Sequence, residues 1–119
     1  MPDTRLAGPV IEAIAGQNLS GHRVVTNEAI CADQSTPSHL GCVRGITTGA
    51  AIGGDTVRIQ VYGPMTDPSF DWQPGPIYVG TNGVLTQTPP TTGWLQQVAT
   101  ADSPTLIFID IQPPIALGN

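Results

Sequence analysis

Apolar and polar positions alternate most cleanly over residues 55–63 (DTVRIQVYG), where Val57, Ile59 and Val61 share one face of an extended chain and Thr56, Arg58, Gln60 and Tyr62 the other. One face goes to a core. Residues 22–27 (HRVVTN) and 42–47 (CVRGIT) have the same β-branched character and predict two further strands. Residues 76–79 and 84–88 flank Gly80-Thr81-Asn82-Gly83, whose Asn-Gly pair takes the positive φ angles of a tight turn, so the pattern predicts a hairpin. A second hairpin is expected from 94–99 and 105–111 around the turn 100–104 (TADSP), with Val98 and the Leu106-Ile107-Phe108-Ile109 run in the core.

No stretch keeps a helical period over three turns, so seven or eight strands are expected in an all-β fold, a small Gly/Pro-rich barrel or sandwich. The intervening segments 34–41 (QSTPSHLG), 48–54 (TGAAIGG) and 64–74 (PMTDPSFDWQP) read as loops. Residues 1–17 are the least strand-like and are expected to form an extended N-terminal arm, with 18–119 as the β-rich body. Its apolar patch, Val10, Ile11 and Ile14, is too short to pack on itself, and a helix over 10–15 would need tertiary contacts to persist. The tail Pro113-Pro114-Ile115-Ala116-Leu117 is too rich in proline for a central strand and belongs along an edge or on a neighbouring subunit.

Composition narrows the partners. The chain has 119 residues, enough for one domain with one modest core. Only 11% of residues are charged, lysine is absent, and four arginines face nine acids for a net charge of -5, which argues against nucleic acid as partner. No apolar run approaches the length of a membrane span. Low charge in a small chain with 14 glycines and 12 prolines is best accounted for by assembly, in which neighbours supply core that one chain lacks. The opening residues Met1-Pro2-Asp3-Thr4-Arg5 carry both charge signs and no apolar run follows, so a cytosolic start is expected. In that compartment Cys31 and Cys42 are expected as thiols, with a bridge closing their loop as the alternative.

Candidate chemistry is sparse. His22, His39, Cys31 and Cys42 supply four metal ligands on paper, but their spacing matches no finger or knuckle, and no metal or cofactor is expected. No Gly-x-Ser-x-Gly elbow occurs, and the 49–54 glycines lack a phosphate-loop ending. The acids Asp67 with Asp71, or Asp102 with Asp110, would serve a glycosidase if suitably spaced, although Asp at these positions more often makes local turns. Phe70 and Trp72 would serve as a platform for a sugar; as loop anchors or interface residues they need no ligand. An enzyme is not expected.

The order of Gly45-Ile46-Thr47-Thr48-Gly49-Ala50-Ala51, Gly53-Gly54-Asp55, Val57-Arg58-Ile59-Gln60, Gly75-Pro76-Ile77-Tyr78-Val79-Gly80, Gly83-Val84-Leu85-Thr86 and Gly93-Trp94-Leu95-Gln96-Gln97-Val98-Ala99, closing with 104–109 and 114–117, resembles small phage virion proteins. The likeness is to capsid decoration (cement) and head-fibre proteins, over about two thirds of the chain. It implies a protein of the virion surface, assembled in the host cytoplasm, whose partners are the major capsid protein and its own copies in a homotrimer. On that basis Arg5, Val10, Ile11 and Ile14 are the expected capsid contacts, and Pro113, Pro114, Ile115 and Leu117 the expected trimer contacts. The loops 31–42 and 64–74 depart from a minimal decoration protein and leave a second expectation, a fibre or baseplate module that binds host-surface glycan through Phe70 and Trp72.

Overall fold

A positive φ of 91° at Gly63 turns the chain out of one sheet and into another. The computed structural model describes residues 9–117, and eleven strands lie among them: β1 (Val10–Ile14), β2 (Val24–Thr26), β3 (Val43–Thr47), β4 (Thr56–Gln60), β5 (Gly63–Thr66), β6 (Gly75–Val79), β7 (Leu85–Thr86), β8 (Trp94–Leu95), β9 (Gln97–Ser103), β10 (Leu106–Ile109) and β11 (Ile115–Ala116). They form a four-stranded sheet in the order β1-β4-β3-β2, a five-stranded sheet in the order β5-β10-β9-β6-β7, and a ribbon of β11 with β8. All named pairs are antiparallel. The fold is all-β, as the alternation predicts.

The main core brings Ile77, Val79, Ala99, Ala101, Ile107 and Ile109 of the five-stranded sheet together with Val24 and Ile46 of the four-stranded one. Burying one such aliphatic side chain contributes about 1.5–3 kcal/mol, so this layer holds the two sheets together. Val25, Val57 and Ile59 point the other way, into a second cluster with Ala15, Leu19 and Ala29. β2 is therefore buried on both faces, which explains why Val24, Val25 and Thr26 show no apolar-polar alternation.

Four expectations change. Residues 10–14 form neither an arm nor a helix: they are an edge strand, with Val10 opposite Gln60 and Ile14 opposite Thr56. The alternation of Ile11 and Ala13 against Val10, Glu12 and Ile14 suits a strand, and β4 supplies the partner that local sequence does not show. Loop 64–74 begins as β5, where Pro64 is tolerated because the Asp67 N–H bond to the Thr105 carbonyl sets the hydrogen-bonding phase so that position 64 faces away from β10. The second hairpin turns at Pro104 and Thr105, because Ala101 is buried opposite Ile107 and a bulge absorbs the register before Leu106 opposite Ser103. The expected strand 94–99 is split at buried Gln96, whose carboxamide donates to the Gln112 carbonyl at 2.7 Å.

The first hairpin forms as expected, and Asn82 (φ 53°) and Gly83 (φ 74°) both adopt the left-handed conformation. Cys31 and Cys42 are free thiols. Cys31 pairs with Val25 on one side of β2, and the Cys42 carbonyl accepts the Asn27 N–H on the other. Two strand spacings, about 9–10 Å, separate them, beyond the roughly 7 Å limit of a disulfide.

Two substitutions probe this packing. Ile107→Ala is expected to cost about 2–5 kcal/mol, read by urea denaturation. Gly83→Ala is expected to cost more than about 1 kcal/mol, because φ is positive and the new Cβ would lie 2.5 Å from the Val24 carbonyl oxygen. An unchanged midpoint for either variant contradicts the packing described.

Candidate interaction surfaces

Among the described residues the outer edge of β1 is open. The Val61 N–H donates to the Pro9 carbonyl and the Ala15 N–H to the Asp55 carbonyl, so residues 9, 11, 13 and 15 direct their backbone groups toward β4. The N–H and C=O groups of Val10, Glu12 and Ile14 therefore point outward, with no partner among the described residues. Their side chains are also the exposed set, Val10 at 38% and Ile14 at 63%. Glu12 sits 3.3 Å from Arg58 across the pair, both well exposed, an interaction worth at most about 1 kcal/mol. Of the expected capsid contacts, Val10 and Ile14 are outside, Ile11 packs against the second core cluster, and Arg5 lies outside the described residues.

Phe70 and Trp72 are half-buried and pack against the main core, ring centroids 5.9 Å apart. The Trp72 backbone N–H donates to the Pro104 carbonyl, and its indole nitrogen is buried without a hydrogen-bond partner. These rings anchor their loop, and the polar edge of Trp72 is not offered to a sugar. His22 packs against Phe70, the rings tilted by 56° with centroids 4.7 Å apart, and places Nε2 3.3 Å from Asp67 Oδ2. The other Asp67 oxygen accepts the Ser69 hydroxyl at 2.6 Å and the Ser69 N–H at 2.8 Å. The Ser69 bonds, with a smaller contribution from His22, hold the Asp67 carboxyl below its usual range.

A hydrolytic triad needs the imidazole between acid and hydroxyl. Here the carboxylate is in the middle, so the arrangement caps a turn and ties it to the lead into β2. Asp102 and Asp110 are also ill placed as a pair. Asp110 donates its N–H to the Val98 carbonyl, four strand residues from Asp102, or roughly 13 Å along β9 and beyond glycosidase spacing. Among the described residues no group of three His, Cys, Asp or Glu converges as metal ligands.

Loop 33–40 is built around its own polar contacts. Burial works to raise the Asp33 carboxyl, and the hydroxyl and N–H of Ser35 with the Asn82 N–H outweigh it, so the group titrates below the usual range. Burial pushes the neighbouring Cys31 thiol up. The tail lies along its own chain: β11 pairs with β8, and the Leu117 N–H donates to the Gly93 carbonyl. Pro113 and Ile115 are exposed, Pro114 and Leu117 half-buried. Between loop and tail opens a cavity of about 300 Å³ whose walls include Pro37, Leu40, Trp94 and Ala116. Periodicity does not reveal it, since it depends on a loop meeting a strand more than fifty residues away.

No family model, curated protein or solved structure matches the chain.

The Asp67 cap has a pH signature. Because its folded carboxyl titrates below the unfolded value, its contribution is present above the ordinary carboxylate range and lost as pH falls through the folded value. Asp67→Ala is thus expected to lower the thermal midpoint at neutral pH, with the difference shrinking in acid. A difference that stays constant through the acid range contradicts the cap.

Proposed function

We propose that this chain is a structural virion protein of the decoration (cement) class, which binds the outer capsid surface as a homotrimer and stabilises the shell by bridging neighbouring capsomers. The observation that carries this reading is the open β1 edge, where outward backbone groups and the exposed side chains of Val10 and Ile14 coincide. An uncovered edge invites pairing, and natural sheets usually block such edges with lysine, proline, a bulge or a covering segment. Among the described residues β1 carries none of these across Val10–Ile14, and its one charge, Glu12, already faces Arg58.

The low charge of the chain and the resemblance of residues 45–117 to small virion proteins support the same reading. In it the partners are the major capsid protein and further copies of this chain, on the surface of a virion assembled in the host cytoplasm. Many weak contacts repeated over a lattice act together, so none needs to be strong by itself.

Purified protein mixed with undecorated shells is expected to bind and to raise their rupture temperature. Ile14→Asp is expected to weaken binding by about tenfold or more, equivalent to at least about 1.4 kcal/mol. Absence of binding together with an unchanged rupture temperature for the wild type overturns the proposal.

A further inference from the structure

The ribbon of β8 and β11 carries a hole on one face and a knob on the other. Ile115 lies opposite Leu95 and Ala116 opposite Trp94. Side chains alternate along a strand, so Trp94 and Ala116 share one face while Ile115 and Leu95 share the reverse. On the Trp94 face is the 300 Å³ cavity, where Leu40 is 40% exposed. On the reverse face Ile115 stands 57% exposed.

Both features are held in place. The Trp94 N–H donates to the Gln34 carbonyl at 3.0 Å and its indole N–H to the Thr36 carbonyl at 2.9 Å, which fixes the loop over the cavity. Two prolines, Pro113 and Pro114, stiffen the chain before Ile115, and the Gln96 carboxamide holds the Gln112 carbonyl just ahead of them. Little ordering remains to oppose association.

Charge selects the occupant. Among the described residues no charged side chain lines the cavity, and residues 89–95 (PPTTGWL) and 111–117 (IQPPIAL) carry none. Copies of a chain with net charge -5 repel one another, so they meet most readily where charge is absent. A strongly charged partner would find nothing complementary there.

We infer that Ile115 of one copy enters the Leu40–Trp94 cavity of the next, a head-to-tail contact between copies of this chain. Because knob and hole face opposite ways, a twofold axis does not satisfy both; the contact is heterologous and must close into a ring or continue as a filament. The ring of three rests on the proposed function, whereas the contact itself does not. It assigns the tail expected to mediate trimerisation its receptor, Pro37, Leu40, Thr92 and Trp94 of the neighbour.

Sedimentation velocity without shells, from micromolar to near-millimolar protein, tests the contact. The wild type is expected to form species larger than a dimer, one closed species for a ring or a concentration-dependent series for a filament, while Ile115→Asp and Leu40→Asp are each expected to be monomeric. Both positions are exposed, so circular dichroism and the unfolding midpoint should be unchanged; Thr92→Glu provides an independent block of the cavity. An equimolar mixture of Ile115→Asp and Leu40→Asp retains one intact knob and one intact hole, and is expected to give a heterodimer and nothing larger. A monomeric or dimeric wild type, variants that assemble normally, or a mixture that stays monomeric overturns the inference. Variants that assemble normally while the wild type still stabilises shells would remove this contact and leave the decoration reading standing; assembly as expected without shell binding would do the reverse.

Discussion

Trp94 is the constraint on which the molecule turns. Its side chain is among the largest fully buried ones, and its two N–H groups both go to loop 33–40, one to Gln34 and one to Thr36. Opposite it in the ribbon, Ala116 brings the tail onto the body. One residue thus joins the core, a long loop and the C-terminus. An indole suits this position because it fills the space of an aliphatic cluster while satisfying a polar loop that would otherwise be desolvated without partners. Gly93 makes the approach feasible: its φ is 77°, and any side chain there would collide with the Gln34 backbone.

The sheet edges are treated unequally, and the inequality is informative. β2 is covered on its outer side by residues 30–32, with Val24 and Val25 each bonded or paired to them. β5 is blocked in two ways at once: Pro64 has no N–H to offer, and its carbonyl accepts the buried Gln60 carboxamide at 2.8 Å. β1 has no such device among the described residues. In a chain that guards the β2 and β5 edges, an unguarded one beside two exposed aliphatic side chains has the character of a contact surface.

Much of this was legible in the sequence where local rules dominate. Strict alternation located β4, and Asn82-Gly83 located the first turn because few residue pairs accept two left-handed conformations in succession. Elsewhere distant partners decided the outcome. Val10 and Ile14 read as an isolated patch because the strand that completes them lies more than forty residues away. The second turn was displaced because Ala101, locally unremarkable, is required in the core. Phe70 and Trp72 illustrate the limit for function: composition shows two aromatics in a loop, and only packing shows that they face inward. The Leu40–Trp94 cavity had no sequence signal, being formed by Ser35, Pro37 and Leu40 meeting residues 92–94 and 116 in space.

These surfaces divide the proposed work between two parts of the fold, with β1 turned to the shell and the C-terminal ribbon to neighbouring copies. The central claim is that an outward β1 edge is what the shell engages. Amide hydrogen exchange, compared between free protein and protein bound to shells, tests it most directly. The account predicts strong new protection at the Val10, Glu12 and Ile14 amides, which point away from β4 in the free molecule. Bound protein in which those three amides exchange as fast as in the free state would contradict it.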